Sequence, residues 1–258
     1  MEIKRSLKKV KRRLHAYSMG VLRAHQLPST KFIIFGQGRT GSNLIQSLVN
    51  VHPDVRCDGE ILLPAMIGKL NWLKLYINGC ALKHHKPAYG FLLKLTHLPQ
   101  GQGIDNVEFL RYLTDQGWKI IYTQRRNFVK QIISAIIAIN RHQWHDSSDN
   151  PLKNKKFHID LDELFKGIQR KETQTATELD ILQHLPHLTV VYEDELLEPQ
   201  WHQQTTDKIF DYLGIPSVSV QASLKKTTPK DLSQIVENYD EIVEAIGKTS
   251  HAHFLNEV

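Results

Sequence analysis

The chain has 258 residues, 41% hydrophobic and 23% charged, with 14 Gly and 10 Pro. These proportions exclude fibrous, low-complexity and disordered classes. Apolar runs such as Ile136-Ile137-Ala138-Ile139 fall far short of the roughly 18 residues a membrane span needs. Only Cys57 and Cys80 are present, which excludes a disulfide framework and suits buried thiols in a reducing compartment. The formal charge of +6 is unevenly spread. The first 30 residues hold eight Lys and Arg against one acid, Glu2, a net +7; the remainder holds 25 basic and 26 acidic side chains, a net −1. A basic leader therefore precedes a near-neutral body.

In that leader Ile3, Leu7, Val10, Leu14, Tyr17 and Val21 recur at spacings of 4, 3, 4, 3 and 4, one stripe of a helix with cations on its flanks. His15, Ser18 and Gly20 interrupt the apolar core a signal peptide would need. Two destinations stay open for the stripe: it docks on the body, or it lies on anionic lipid. Residues 1–28 are thus read as a basic amphipathic helix with peripheral contact to an anionic membrane, and 29–258 as one domain. Nucleic acid is set aside as a partner, because no basic groove with aromatic residues recurs downstream.

Past Pro28, Lys31 to Phe35 reads as a buried strand and Gly36 to Gly41 as a tight turn. Ser42 is placed to cap a helix that runs to His52-Pro53. Val51 to Asp58 makes a poor strand, because Pro53 and charged residues interrupt it. Further strands are expected at Tyr89–Leu95, Lys119–Thr123 and Leu188–Tyr192. Helices are expected at about 105–116, from Val129 through Ile137, at 160–183 and at 200–213, the last ended by Gly214 and Pro216. Alternating strands and helices predict a three-layer α/β sandwich around a parallel sheet with right-handed crossovers.

Gly36-Gln37-Gly38-Arg39-Thr40-Gly41-Ser42 after a strand is a phosphate-binding turn by mechanism: backbone N–H groups and a helix N-terminus face the anion. Gly36, Gly38 and Gly41 satisfy the dinucleotide fingerprint, with Asp58 or Glu60 as the ribose acid. Gly36 and Gly41 also satisfy the start of the nucleotide-triphosphate loop. That loop needs Lys next, and Ser42-Asn43 follow instead. The cation sits inside the loop, at Arg39.

A loop with its cation two residues before the last glycine, then Ser, resembles the 5′-phosphosulfate loop of sulfotransferases, in the style of the carbohydrate-directed branches. Arg125-Arg126-Asn127-Phe128 after the third strand, with Ser134 eight residues beyond Arg126, resembles that family's 3′-phosphate site, Phe128 standing where Pro is common. Arg126 offers a planar fork to a phosphate. The Gly59-Glu60 pair after the first helix resembles bacterial sulfotransferases of the trehalose and nodulation-factor kinds, and Leu224-Lys225-Lys226-Thr227-Thr228-Pro229 a C-terminal phosphate-side loop. The resemblance runs through residues 30–246 and is strongest at 32–62 and 119–134.

It implies a P-loop-like sulfotransferase fold and 3′-phosphoadenosine 5′-phosphosulfate (PAPS) as donor, without metal. It also implies a carbohydrate or glycolipid hydroxyl as acceptor. Gly38, Arg39, Thr40, Gly41, Ser42, Asn43, Arg126, Ser134, Lys225 and Lys226 would hold the donor. Arg39 would stabilise the leaving phosphate and Glu60 would be the general base, with His84 or His85 as rival and Lys94 as a lesser cation. His142 with His145 and His251 with His253 lack a third ligand and are read as surface groups. Trp72, Tyr76, Trp118, Trp144 and Trp201 are candidates for sugar stacking or core. The expected setting is cytoplasmic, peripheral on the inner membrane face. The alternatives are an NAD(P)-dependent oxidoreductase using Gly36, Gly38 and Gly41, and a membrane-associated nucleotide-binding module without activity.

Overall fold

Phe32, Ile33, Ile34 and Phe35 are all sealed from solvent, as a strand covered on both faces requires. They form the middle of β1 (Thr30–Gly36), the central strand of a five-stranded sheet in a computed structural model that describes residues 2–140, 155–222 and 231–255. The other strands are β2 (Val55–Asp58), β3 (Ala88–Leu93), β4 (Trp118–Gln124) and β5 (His187–Val191), in the order β2-β3-β1-β4-β5. All four pairings are parallel, with Ile33 opposite both Phe91 and Ile120.

Period-two alternation divides β1 between two cores. Ile33 and Phe35 pack with Tyr76 and Ile77 of α4 (Leu73–Leu82) and Phe109 and Leu110 of α6 (Asn106–Asp115). Phe32 and Ile34 pack with Ile45 of α2 (Ser42–Val49) and Ile209 and Phe210 of α9 (His202–Leu213). A third cluster joins α7 (Phe128–Asn140), α8 (Leu161–Leu182) and α10 (Tyr239–Gly247). Two helices of one turn, α3 (Pro64–Ile67) and α5 (His97–Gly101), follow β2 and β3. The expected three-layer α/β sandwich with a parallel sheet is what the chain adopts. Local signals place the helix ends: Asp105 and Asp160 cap α6 and α8 by accepting the Glu108 and Glu163 N–H groups, and Gly214 ends α9 in the left-handed region.

Two local expectations are corrected. Residues 55–58 do form a strand, because Pro53 lies before it and only Val55 and Cys57 turn inward while Arg56 faces out. It is a short edge strand, where alternation replaces a continuous apolar run. Ser42 does not cap α2; Gly41 holds that position, without a side chain, and Ser42 is the first helical residue. The strand order also bears on the dinucleotide reading. In that fold the acid-bearing second strand lies beside the first, whereas here β3 stands between β1 and β2.

The leader is helical over Glu2–Leu22 (α1) and packs on α4. It does so through its small residues. Ala16 is buried, Gly20 lies against Leu75, and a Cβ at Gly79 would stand 1.7 Å from the Ala16 carbonyl oxygen. The periodic stripe is not the docked face: Leu7, Val10, Leu14 and Val21 are exposed. Gly79→Ala should therefore loosen α1, since overpacking costs about 1–3 kcal/mol and outweighs the roughly 1 kcal/mol alanine gains in a helix. The expected result is a lower denaturant midpoint, with the amides of α1 losing exchange protection before those of the sheet.

Candidate active site

Because β1 and β4 are parallel neighbours, the loops leaving their C-terminal ends lie side by side. The first runs from Gly36 to Gly41. Gly36 has φ +150°, and a Cβ there would meet the Thr123 backbone oxygen at 2.5 Å; Gly41 has φ +89°, with the Leu196 side chain 2.6 Å from its would-be Cβ. Neither position tolerates a side chain. Thr40 donates to the Gln37 carbonyl at 2.9 Å and meets the Thr123 hydroxyl at 2.8 Å, tying the loop to β4. Arg39 is held at φ +68°, a left-handed conformation rare outside glycine. With no side chain capping α2, its first N–H groups head into the loop beside Ser42 and Asn43.

The second loop, Arg125 to Asn127, and α7 close over the first. The Arg39 guanidinium donates from Nε and Nη2 to the Ser134 hydroxyl at 2.9 and 2.8 Å. Gln131 donates to the Gly38 carbonyl at 2.7 Å, and Arg125 to the Arg39 carbonyl at 3.2 Å. Burial lowers the pKa of Arg39 and the nearby Arg125 charge adds to this, so two cations share a partly desolvated site that favours an anion. A π-helical turn, Tyr192–Leu196, completes this side. The Glu193 carboxylate accepts the N–H groups of Arg126 and Asn127 at the start of α7. Asp194 takes both arms of the Arg126 fork at 2.6 Å. The Arg125 guanidinium lies 4.6 Å from the Tyr192 ring centroid.

Glu60 follows β2, in salt-bridge contact with Lys94 Nζ at 2.5 Å and His97 Nε2 at 3.2 Å. Burial would raise its pKa, but the hydrogen bond from His97 and the Lys94 charge outweigh burial and hold it at about 2. Lys94 reaches the first loop as well, 3.5 Å from where a side chain on Gly38 would begin. Glu60, Lys94 and the loop thus converge at one end of the sheet. Of the rival histidines, His84 bonds Asp58, the last residue of β2, at 3.1 Å, and His85, just before the opposite end of β3, bonds Arg23 at 3.0 Å. Lys225, Lys226, His142, His145 and Trp144 lie outside the described residues. Tyr76 and Trp118 are core, Trp201 is half-buried, and Trp72 is exposed. Among the described residues no His, Cys, Asp or Glu cluster of three suits a metal ion.

Sequence reasoning missed what lies under the loop. Gln37 turns inward and donates to Glu178 at 3.2 Å and Thr175 at 2.8 Å on α8, and the Tyr122 hydroxyl donates to the same Glu178 oxygen. The other Glu178 oxygen is buried without a partner. Burial raises Glu178 to about 7 against these bonds and the Lys171 charge, and burial lowers Lys171 to about 8. One acid within a polar amphipathic helix gave no sequence signal, because nothing local separates it from the solvated acids around it.

The glycine loop and the second arginine turn, the two stretches that resemble sulfotransferase motifs, thus stand at the ends of the neighbouring strands β1 and β4. Over nearly its full length the chain is similar to nodulation protein H of Rhizobium meliloti, 25% identical over 245 residues, covering 88% of this chain and 96% of the relative. Nodulation protein H of Rhizobium tropici is 23% identical over 243 residues, covering 89% and 95%. Among solved structures, a sulfotransferase from Alicyclobacillus acidocaldarius aligns with a TM-score of 0.48 at 14% identity, over 90% of this chain and 92% of that one. A sulfotransferase domain from the curacin biosynthetic pathway aligns with a TM-score of 0.46 at 14% identity, over 88% and 83%. No protein-family model matches the sequence.

Glu178 makes stability pH-dependent in a defined direction. Its folded pKa, near 7, lies above the ordinary carboxylate value of 4.5. The stabilisation from its protonated form is complete below that value and lost as pH rises through 7. The unfolding free energy should fall between pH 5 and 8 by roughly 3 kcal/mol at most. In Glu178→Gln that slope should flatten, measured by denaturant unfolding at several pH values; an unchanged slope would acquit Glu178.

Proposed function

We propose that the protein transfers a sulfuryl group from PAPS to a hydroxyl of a carbohydrate or glycolipid, in the cytoplasm. One observation carries this reading: Arg39 of the first loop bonds Ser134 of the second motif. Two stretches about a hundred residues apart, each resembling one phosphate site of the same donor, meet at a single point. The donor set suits a ligand with two anionic ends. Backbone N–H groups, Arg39 and the α2 N-terminus serve one phosphate, and Arg126, Ser134 and, from sequence, Lys225 and Lys226 serve the other. The two free buried thiols, Cys57 and Cys80, support a reducing compartment. The strand order speaks against the dinucleotide alternative.

The chemistry is an in-line displacement. A bond forms between the acceptor oxygen and sulfur, the bond from sulfur to the 5′-phosphate oxygen breaks, and the acceptor proton goes to Glu60. The products are a sulfate ester and adenosine 3′,5′-bisphosphate. Arg39 stabilises charge developing on the departing phosphate oxygen. Glu60 is ionised throughout the physiological range and orients the hydroxyl while accepting its proton. Lys94, between Glu60 and Gly38, neutralises both sides of the reacting centre. Its low pKa makes Glu60 a weak base, so positioning carries more of the rate than proton abstraction.

Calorimetric titration tests the donor. Adenosine 3′,5′-bisphosphate should bind in preference to NAD(H) or ATP, and preference for NAD(H) would overturn the reading. Arg39→Ala should fall mainly on kcat, because it acts on charge that develops in the transition state, whereas Arg126→Ala should mainly raise the donor KM. Glu60→Gln should keep bisphosphate affinity near wild type while turnover drops on the order of 10²–10⁴-fold.

A further inference from the structure

We infer that the outward face of α1 is a docking surface for an anionic lipid membrane. Among the described residues, ten large hydrophobic side chains are exposed, and five lie on this helix: Leu7 54%, Val10 44%, Leu14 62%, Val21 65% and Leu22 73%. They are exposed because α1 is already anchored by another face. Ala16 and Gly20 lie against α4, and Arg13 donates to the Lys69 carbonyl at 3.2 Å. The helix is therefore held in place while these five side chains stay in water; Tyr17 of the stripe reaches the core. Trp72, 63% exposed, stands edge-on to Tyr17 of the stripe with ring centroids 5.5 Å apart, adding an aromatic of the kind that settles at a lipid interface.

Charge decides between occupants. Lys11 is exposed beside the stripe, and the first 30 residues carry a net +7. A second copy of the chain would bring two such segments together, like charge against like. An anionic surface takes the same apolar stripe and gains from the cations that flank it. No helix of the described residues is long and apolar enough to cross a membrane, so the contact lies in the plane of the interface.

The test is sedimentation of the full-length protein with vesicles of phosphatidylcholine alone and of phosphatidylcholine mixed with phosphatidylglycerol. The protein should pellet with the mixed vesicles only, and rising salt should release it, since the Debye length shortens to about 3 Å at 1 M. Leu14→Asp with Val21→Asp should reduce partitioning at least tenfold at unchanged thermal midpoint, because both side chains are already in water. Lys11→Gln should weaken it about fivefold. Indifference to anionic vesicles at low salt, or wild-type partitioning of the Leu14/Val21 variant, would overturn the assignment. So would a dimer in sedimentation equilibrium that Leu14→Asp breaks, which would give the stripe to a second copy.

Discussion

The candidate site depends on one adjacency: β1 and β4 run parallel with no strand between them. That pairing sets the glycine loop and the turn before α7 against each other at the same end of the sheet. Arg39 can then lie across Ser134, and Gln131 can hold the Gly38 carbonyl. Thr40 of the loop and Thr123 near the end of β4 share a buried hydrogen bond that fixes the loop's height above the sheet. Were another strand to intervene, at about 4.8 Å per strand, the guanidinium would not span the gap. The chemistry is thus organised by sheet order first and by side chains second.

The loop is also supported from below and from the side. Gln37 anchors it to α8 through Glu178 and Thr175, and Glu193 fixes the start of α7 by accepting two backbone N–H groups. These are interior contacts of ordinary residues, and they make the site rigid before any ligand arrives. Arg126 is different: it is half-exposed and already forked onto Asp194. A phosphate at that position has to compete with a carboxylate, a weaker handicap than filling a dry pocket because both partners remain in water.

Much of this was legible in the chain. Continuous apolar runs announced β1, β3 and β4, which are covered on both faces, and also β5, a half-buried edge strand, while Gly214 with Pro216 marked the end of α9 by local chemistry. The glycine loop and second arginine turn were readable because backbone approach to an anion demands particular residues at particular spacings. What escaped was decided by distant partners. Val55–Asp58 became a strand only because β3 offers it an edge. Periodicity identified the α1 stripe, but which side of the helix would be covered was settled by Gly79, 63 positions from Ala16, where the missing side chain lets the Ala16 backbone approach. Lys94 and His97 gathered around Glu60 through a strand end and a short helix that no local pattern ties to it.

Asp58 has a consequence of its own. It offered itself as a ribose-binding acid, yet it sits on the outermost strand in a 2.8 Å pair with Arg56. A parallel sheet ends on each side in a row of unsatisfied backbone groups, open to pairing with any passing chain. Here that rim is four residues long, and the Cys57 N–H and carbonyl on it are already bonded by the Asn50 and Gln46 side chains. Another molecule adding a strand would have to displace those side chains and strip water from the exposed Arg56 for very few backbone bonds. The short strand that offered a ribose acid is thereby closed against growth into aggregates.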